Sequence, residues 1–174
     1  AMSKGRLVLV RKFEAGETDR LTAFAEIVRQ HGHFLAVEID PEHFAPYEAV
    51  IRKHVAWARE AGVDGFISSW WGRGTFEDAS TRALLKVAEE EGFLVSVYLE
   101  QAQDAAQLME DVSYLVKEFG TSRAWLKEDG RPVVFVYTRV VGDFKPEDFA
   151  SSRGAALLMM DTFDLSYGRA GGGL

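Results

Sequence analysis

The chain has 174 residues, 47% of them hydrophobic, so its length suits one domain with a sizeable core. A net charge of −7, with no basic block, argues against nucleic acid or another polyanion as a partner. The sequence has no cysteine, which excludes disulfides and thiolate chemistry, and no apolar run reaches the roughly 18 to 20 residues that span a membrane, so no membrane partner is expected.

Residues 1–5 (Ala1-Met2-Ser3-Lys4-Gly5) read as an added leader with no signal peptide behind it. A soluble protein of open compartment is the expectation. From residue 6 onward, strand and helix patterns alternate. Strands are expected at Leu7–Val10, Phe34–Ile39, Gly65–Trp70, Phe93–Glu100, Val133–Tyr137 and Ala155–Met160. Helical stripes fall between them: Leu21, Phe24, Ala25 and Val28; then Tyr47, Val50, Ile51, His54 and Ala58; then Leu84, Leu85 and Ala88; then Leu108, Val112, Leu115, Val116 and Phe119. Thr75 with Asp78 has capping-box spacing, and Gly62, Gly92 and Gly120 stand where helices stop. Residues 6–165 are read as a single α/β domain, and the glycine-rich 166–174 as a flexible tail.

Strands that are apolar on both faces, such as Pro132-Val133-Val134-Phe135-Val136, fit a parallel sheet covered by helices. Two architectures satisfy this. One is a short (β/α)8-like barrel with about six βα units, a complete barrel needing about 250 residues. The other is an open doubly wound sheet. A partial barrel exposes edge strands, so self-association as a homodimer through those edges is expected.

Both architectures gather the carboxyl ends of the strands at one rim, where ligand sites are built. The adjacent Trp70 and Trp71 must point to opposite faces of their strand, so one can pack under a helix while the other offers an aromatic plate at the rim. Glu38 and Asp40 share a face; so do Ser96, Tyr98 and Glu100; so do Phe135, Tyr137 and Arg139; and Asp161 ends the last strand. Glycoside hydrolysis requires two carboxylates, and Glu38 with Glu100, or Glu100 with Asp161, are the candidate pairs. His31, His33 and His43 near Glu38 and Asp40 have metal-ligand chemistry but no diagnostic spacing, and ordinary surface histidines are expected. His54 on its apolar stripe reads as a core residue. Gly72-Arg73-Gly74 before a helix resembles part of a phosphate-binding turn, yet position 77 is Glu77 where the third glycine would stand.

Three blocks resemble glycoside hydrolase family 99, the endo-α-mannosidase and endomannanase family. They are Ala58 to Gly72 (AREAGVDGFISSWWG), Val87 to Glu100 (VAEEEGFLVSVYLE) and Trp125 to Tyr137 (WLKEDGRPVVFVY). The resemblance spans residues 50–139 and implies the N-terminal part of a (β/α)8 barrel acting on α-mannose-containing glycans. It implies Trp70 and Trp71 near the sugar, Glu100 close to a hydroxyl of the reacting sugar, and Tyr137 lining the same cleft. It also implies a retaining mechanism with no metal or other cofactor. The chain departs from the family pattern at Phe34–Asp40, where an aromatic-rich segment usually stands, and it has no counterpart of the late W-N-E-W-H-E segment that carries the acid/base glutamate.

The expected site is therefore Glu100, Glu38 and Asp161 as carboxylates, with Trp70, Trp71, Tyr98, Tyr137, Arg139 and Asp40 contacting a glycan or oligosaccharide. Two other readings stay open: a glycan-binding or self-assembling module without turnover, and a doubly wound protein holding an anionic ligand at Gly72–Thr75.

Overall fold

The computed structural model describes residues 7–10, 18–39, 41 and 47–171. Its elements run β1 (Leu7–Val10), α1 (Thr18–Gln30), β2 (Phe34–Ile39), α2 (Glu48–Glu60), β3 (Gly65–Trp70), α3 (Phe76–Glu91), β4 (Leu94–Leu99) and α4 (Ala105–Glu118). They continue with β5 (Lys127–Glu128), β6 (Arg131–Val136), α5 (Thr138–Asp143), a 3-10 helix (Pro146–Gly154), β7 (Leu157–Met160) and α6 (Leu165–Ala170). Six strands are parallel, in the spatial order β1-β2-β3-β4-β6-β7. Each pairs with its successor among the parallel strands.

That order decides between the two architectures. A doubly wound sheet reverses its strand order at a switch point and carries helices on both faces. Here the order never reverses, and the helices all pack on one side. The outward strand residues Phe66, Trp70, Val95, Val97, Leu99, Val134 and Val136 form one core with the helices, through Ile51, Val55, Leu84, Leu108 and Leu115. The opposite face has a smaller core of its own, made by Ala36, Ile67, Tyr98, Leu126, Val133, Phe135 and Leu157. A sheet that buries its helix-free face against itself is curled like a barrel wall. The chain is a partial barrel, and the open doubly wound alternative is overturned. Among the described residues β1 and β7 do not pair, so the wall is not closed.

Local chemistry places the turns around β3. Gly65 begins the strand against Leu94, whose carbonyl oxygen would lie 2.8 Å from any Cβ added there, so strand spacing at this point requires glycine. After Trp71 the chain turns at Gly72, whose φ of 128° lies where L-residues are strained. Thr75 then caps α3, its hydroxyl accepting from the Asp78 N–H at 3.3 Å. The Asp78 carboxylate does not complete a reciprocal capping box. It accepts instead from Gly74 N–H and from the Trp70 indole.

Three points differ from or add to the sequence reading. The Gly-rich end is not all tail: Asp164 caps α6 by accepting from Ser166 N–H, Tyr167 donates to the Phe144 carbonyl at 2.9 Å, and Ala170 is buried. Gly171 then accepts from Leu158 N–H at 3.2 Å, covering part of the β7 edge. Second, β5 and β6 form a hairpin whose two-residue turn, Asp129-Gly130, has positive φ at both positions (49° and 78°), as such turns require. The Asp-Gly pair was the signal for it. Third, His54 is half-buried rather than core, its ring stacked on the exposed Trp57 at 5.6 Å.

Candidate functional site

The ladder register carries the carboxyl ends of β3, β4, β6 and β7 into one row. Trp70 pairs with Leu99, Leu99 with Val136, and Val136 with Met160. One residue further, the backbone bonds continue from Glu100 N–H to Trp70 O (3.0 Å), Tyr137 N–H to Leu99 O (3.0 Å) and Asp161 N–H to Val136 O (3.1 Å). Trp71, Glu100, Tyr137 and Asp161 therefore stand side by side on the helix-free face. Ser69, Tyr98, Phe135 and Met159 form the row beneath.

Hydrogen bonds tie these rows together. Ser69 Oγ donates to Glu100 Oε1 at 2.9 Å and accepts from the Trp71 indole Nε1 at 3.0 Å. Gln101 Nε2 donates to the Trp71 carbonyl at 2.7 Å. The Tyr98 hydroxyl donates to Asp161 Oδ2 at 3.0 Å, and its ring meets Tyr137 edge-on with centroids 5.7 Å apart. The cluster thus presents two carboxylates, a phenol ring and one indole that is 37% exposed. Glu100 is 9% exposed, and Asp161 and Tyr137 are half-buried. Trp71 spends its N–H on Ser69, so it offers a ligand its ring surface rather than a donor.

The remaining candidates divide. Trp70 is not at the rim: it is fully buried on the helix side, its Nε1 donating to Asp78 Oδ1 at 3.1 Å and its ring stacked near Tyr114. This corrects its assignment as a substrate-binding residue, because no part of it reaches solvent. Glu38 lies on the correct face, but its register with Ile67 sets it four residues below the Trp71–Glu100 row, about 13 Å of strand rise. It is too deep to pair directly with Glu100. Glu100 and Asp161 share a row two strands apart, about 10 Å between backbones, with Tyr137 standing between them. Arg139 is exposed on α5, its guanidinium 5.5 Å from the Tyr137 ring centroid. Asp40 and His43 lie outside the described residues.

His31 and His33 show no metal arrangement; among the described residues no group of three or more His, Asp or Glu side chains could hold an ion. At the Gly72–Thr75 turn, part of the donor set that an anion would need is used within the chain. The Gly74 and Asp78 N–H groups that would face an anion are already taken by the Asp78 carboxylate and the Thr75 hydroxyl. No helix among the described residues is long and apolar enough to cross a membrane. Ser69 escaped sequence reasoning: one serine in a buried strand has no periodic signature, although its place two residues before Trp71 put it on the same face.

Comparison with known proteins bears on the family and the fold. The sequence profile of glycosyl hydrolase family 99 matches residues 42–155. Two solved structures of the GH99 endo-alpha-mannosidase from Bacteroides thetaiotaomicron are similar, one of them in complex with BIS-TRIS-propane. They superpose with TM-scores of 0.60 and 0.59 at 23% and 22% identity, each over 71% of this chain. The chain spans 40% and 43% of the length of those two structures. The carboxyl transferase domain of Rhizobium etli pyruvate carboxylase, with pyruvate, is similar in fold, with a TM-score of 0.62 at 16% identity over 95% of this chain and 32% of that one. A search of curated proteins finds no match by sequence.

Proposed function

Because this chain belongs to glycosyl hydrolase family 99, we propose that its strand-end row binds and acts on α-mannose-containing glycans, as its carbohydrate-related family suggests. One observation carries the reading: an exposed indole, anchored through its own N–H, stands beside a nearly buried carboxylate in the row that also holds Tyr137 and Asp161. Pyranose rings present apolar C–H faces edged by hydroxyls. An aromatic plate suits the first, and carboxylates that accept hydrogen bonds suit the second. Glu100 and Asp161 are the groups able to hold or move a proton beside the glycosidic oxygen.

The test is incubation with α-mannan and with glucosylated mannose oligosaccharides, followed by mass spectrometry of the products. Released oligosaccharide is the expected result. In the same assay Glu100→Gln should lose most turnover, and Trp71→Ala should weaken oligosaccharide binding about tenfold, the loss of one stacking contact. A folded protein that binds these glycans without cleaving them would support the second reading, a binding module. A protein that neither binds nor cleaves them overturns both.

Self-association belongs to the same proposal. Gly171 covers only part of the β7 edge, so pairing through the open sides of the wall remains the expected way to shelter them. Light scattering should show a dimer at micromolar concentration; a monomer throughout would remove this idea.

A further inference from the structure

We infer that Ser69 is a positioning residue, its hydroxyl locking the Trp71 indole and the Glu100 carboxylate into one unit so that stacking surface and carboxylate meet a sugar together. The inference rests on the glycan reading of the rim, yet it concerns contacts within the chain that exist without any ligand.

Ser69 is the penultimate residue of β3, on the helix-free face and 9% exposed. An indole nitrogen can only donate, and a hydroxyl has a single proton. The two contacts at Ser69 Oγ therefore have one direction, from Trp71 N–H to Ser69 O–H to Glu100. With a carboxylate as the final acceptor, the second bond is charge-assisted and polarises the first. Trp71 needs such an anchor. It stands just past the end of β3, before the turn at Gly72, where strand pairing no longer constrains its side chain. Holding it by Nε1 fixes the plane of the ring and lowers the ordering cost when a ligand stacks on it.

The neighbouring residue supplies an internal control. Ser68 points to the opposite face, and its Oγ is buried with no hydrogen-bond partner among the described residues. Deleting its hydroxyl removes the same atom from the adjacent position but leaves the Trp71–Ser69–Glu100 chain alone.

Indole N–H resonances of the 15N-labelled full chain decide the matter, with Trp71 assigned from a Trp71→Phe variant. Ser69→Ala should move the Trp71 resonance and speed its hydrogen exchange about tenfold, while the buried Trp70 and Trp125 stay in place. Ser69→Thr, which keeps the hydroxyl, should restore the wild-type signal, and Ser68→Ala should not disturb it. An unmoved Trp71 resonance in Ser69→Ala overturns the inference. In titrations with mannose oligosaccharide, Ser69→Ala should bind about tenfold more weakly and Ser69→Thr within about twofold of wild type. A displaced indole with unchanged affinity also overturns the positioning role. If wild type binds no oligosaccharide, the glycan reading fails, and the indole spectra still decide whether Ser69 orders the pair.

Discussion

Trp70→Ala is expected to cost about 4 kcal/mol of folding stability, whereas Trp71→Ala, one residue along, should cost about 1 kcal/mol or less. Trp70 is fully buried between β3 and the helices, so truncation leaves a large cavity. It also removes the donor to Asp78 Oδ1. Asp78 is the joint of this corner: its carboxylate accepts from Trp70, from the Gly74 N–H of the turn and from the Tyr114 hydroxyl of α4. Losing one of three donors at a buried anion adds to the cavity cost. Trp70→Phe keeps most of the ring volume but loses the N–H and leaves a smaller cavity, so its cost should be about half that of alanine. Urea denaturation of the three variants measures this. Equal midpoints for Trp70→Ala and Trp71→Ala would mean the two indoles are not divided between core and rim.

That division shows how far sequence carries in this fold and where it stops. Strand alternation requires Trp70 and Trp71 to face opposite ways, and the structure agrees. Alternation cannot say which side carries the helices, because β3 is buried along its whole length and shows no polar face. The bounds of β1, β2 and β3 coincide with those read from the sequence, since breaks in the apolar pattern frame each run. The α6 helix was hidden because its stability is long-range: six residues containing a glycine have little helical propensity alone, and Tyr167 is held by Phe144 and Phe149, which lie far back in the chain. The site was half legible for a similar reason. Carboxyl ends of strands can be read off periodicity, which marks Glu100, Tyr137 and Asp161. The depth of Glu38 depends on register between strands, which only the assembled sheet fixes.

Asp111→Asn should stabilise the protein at pH 8 by about 1 to 3 kcal/mol and have no stabilising effect near pH 4. Asp111 lies in α4 and is 7% exposed, and its Oδ2 is buried with no hydrogen-bond partner among the described residues. Burial, reinforced by the negative charges of Glu110 and Asp78, pushes its carboxyl up to about 6. The unfolded chain releases this proton near the ordinary value of 3.8. Between those two values the folded state therefore holds more protons than the unfolded state, and stability falls as pH rises through the window. Below it both states are protonated, and the buried group is neutral at no penalty. Above it the folded protein carries an unpaired buried charge. Asparagine has nearly the same shape and never ionises, so it removes the penalty where the penalty exists. Thermal melts of wild type and variant at pH 4, 6 and 8 should diverge as pH rises. Parallel melting curves at every pH would show that Asp111 ionises as freely in the folded chain as in the unfolded one.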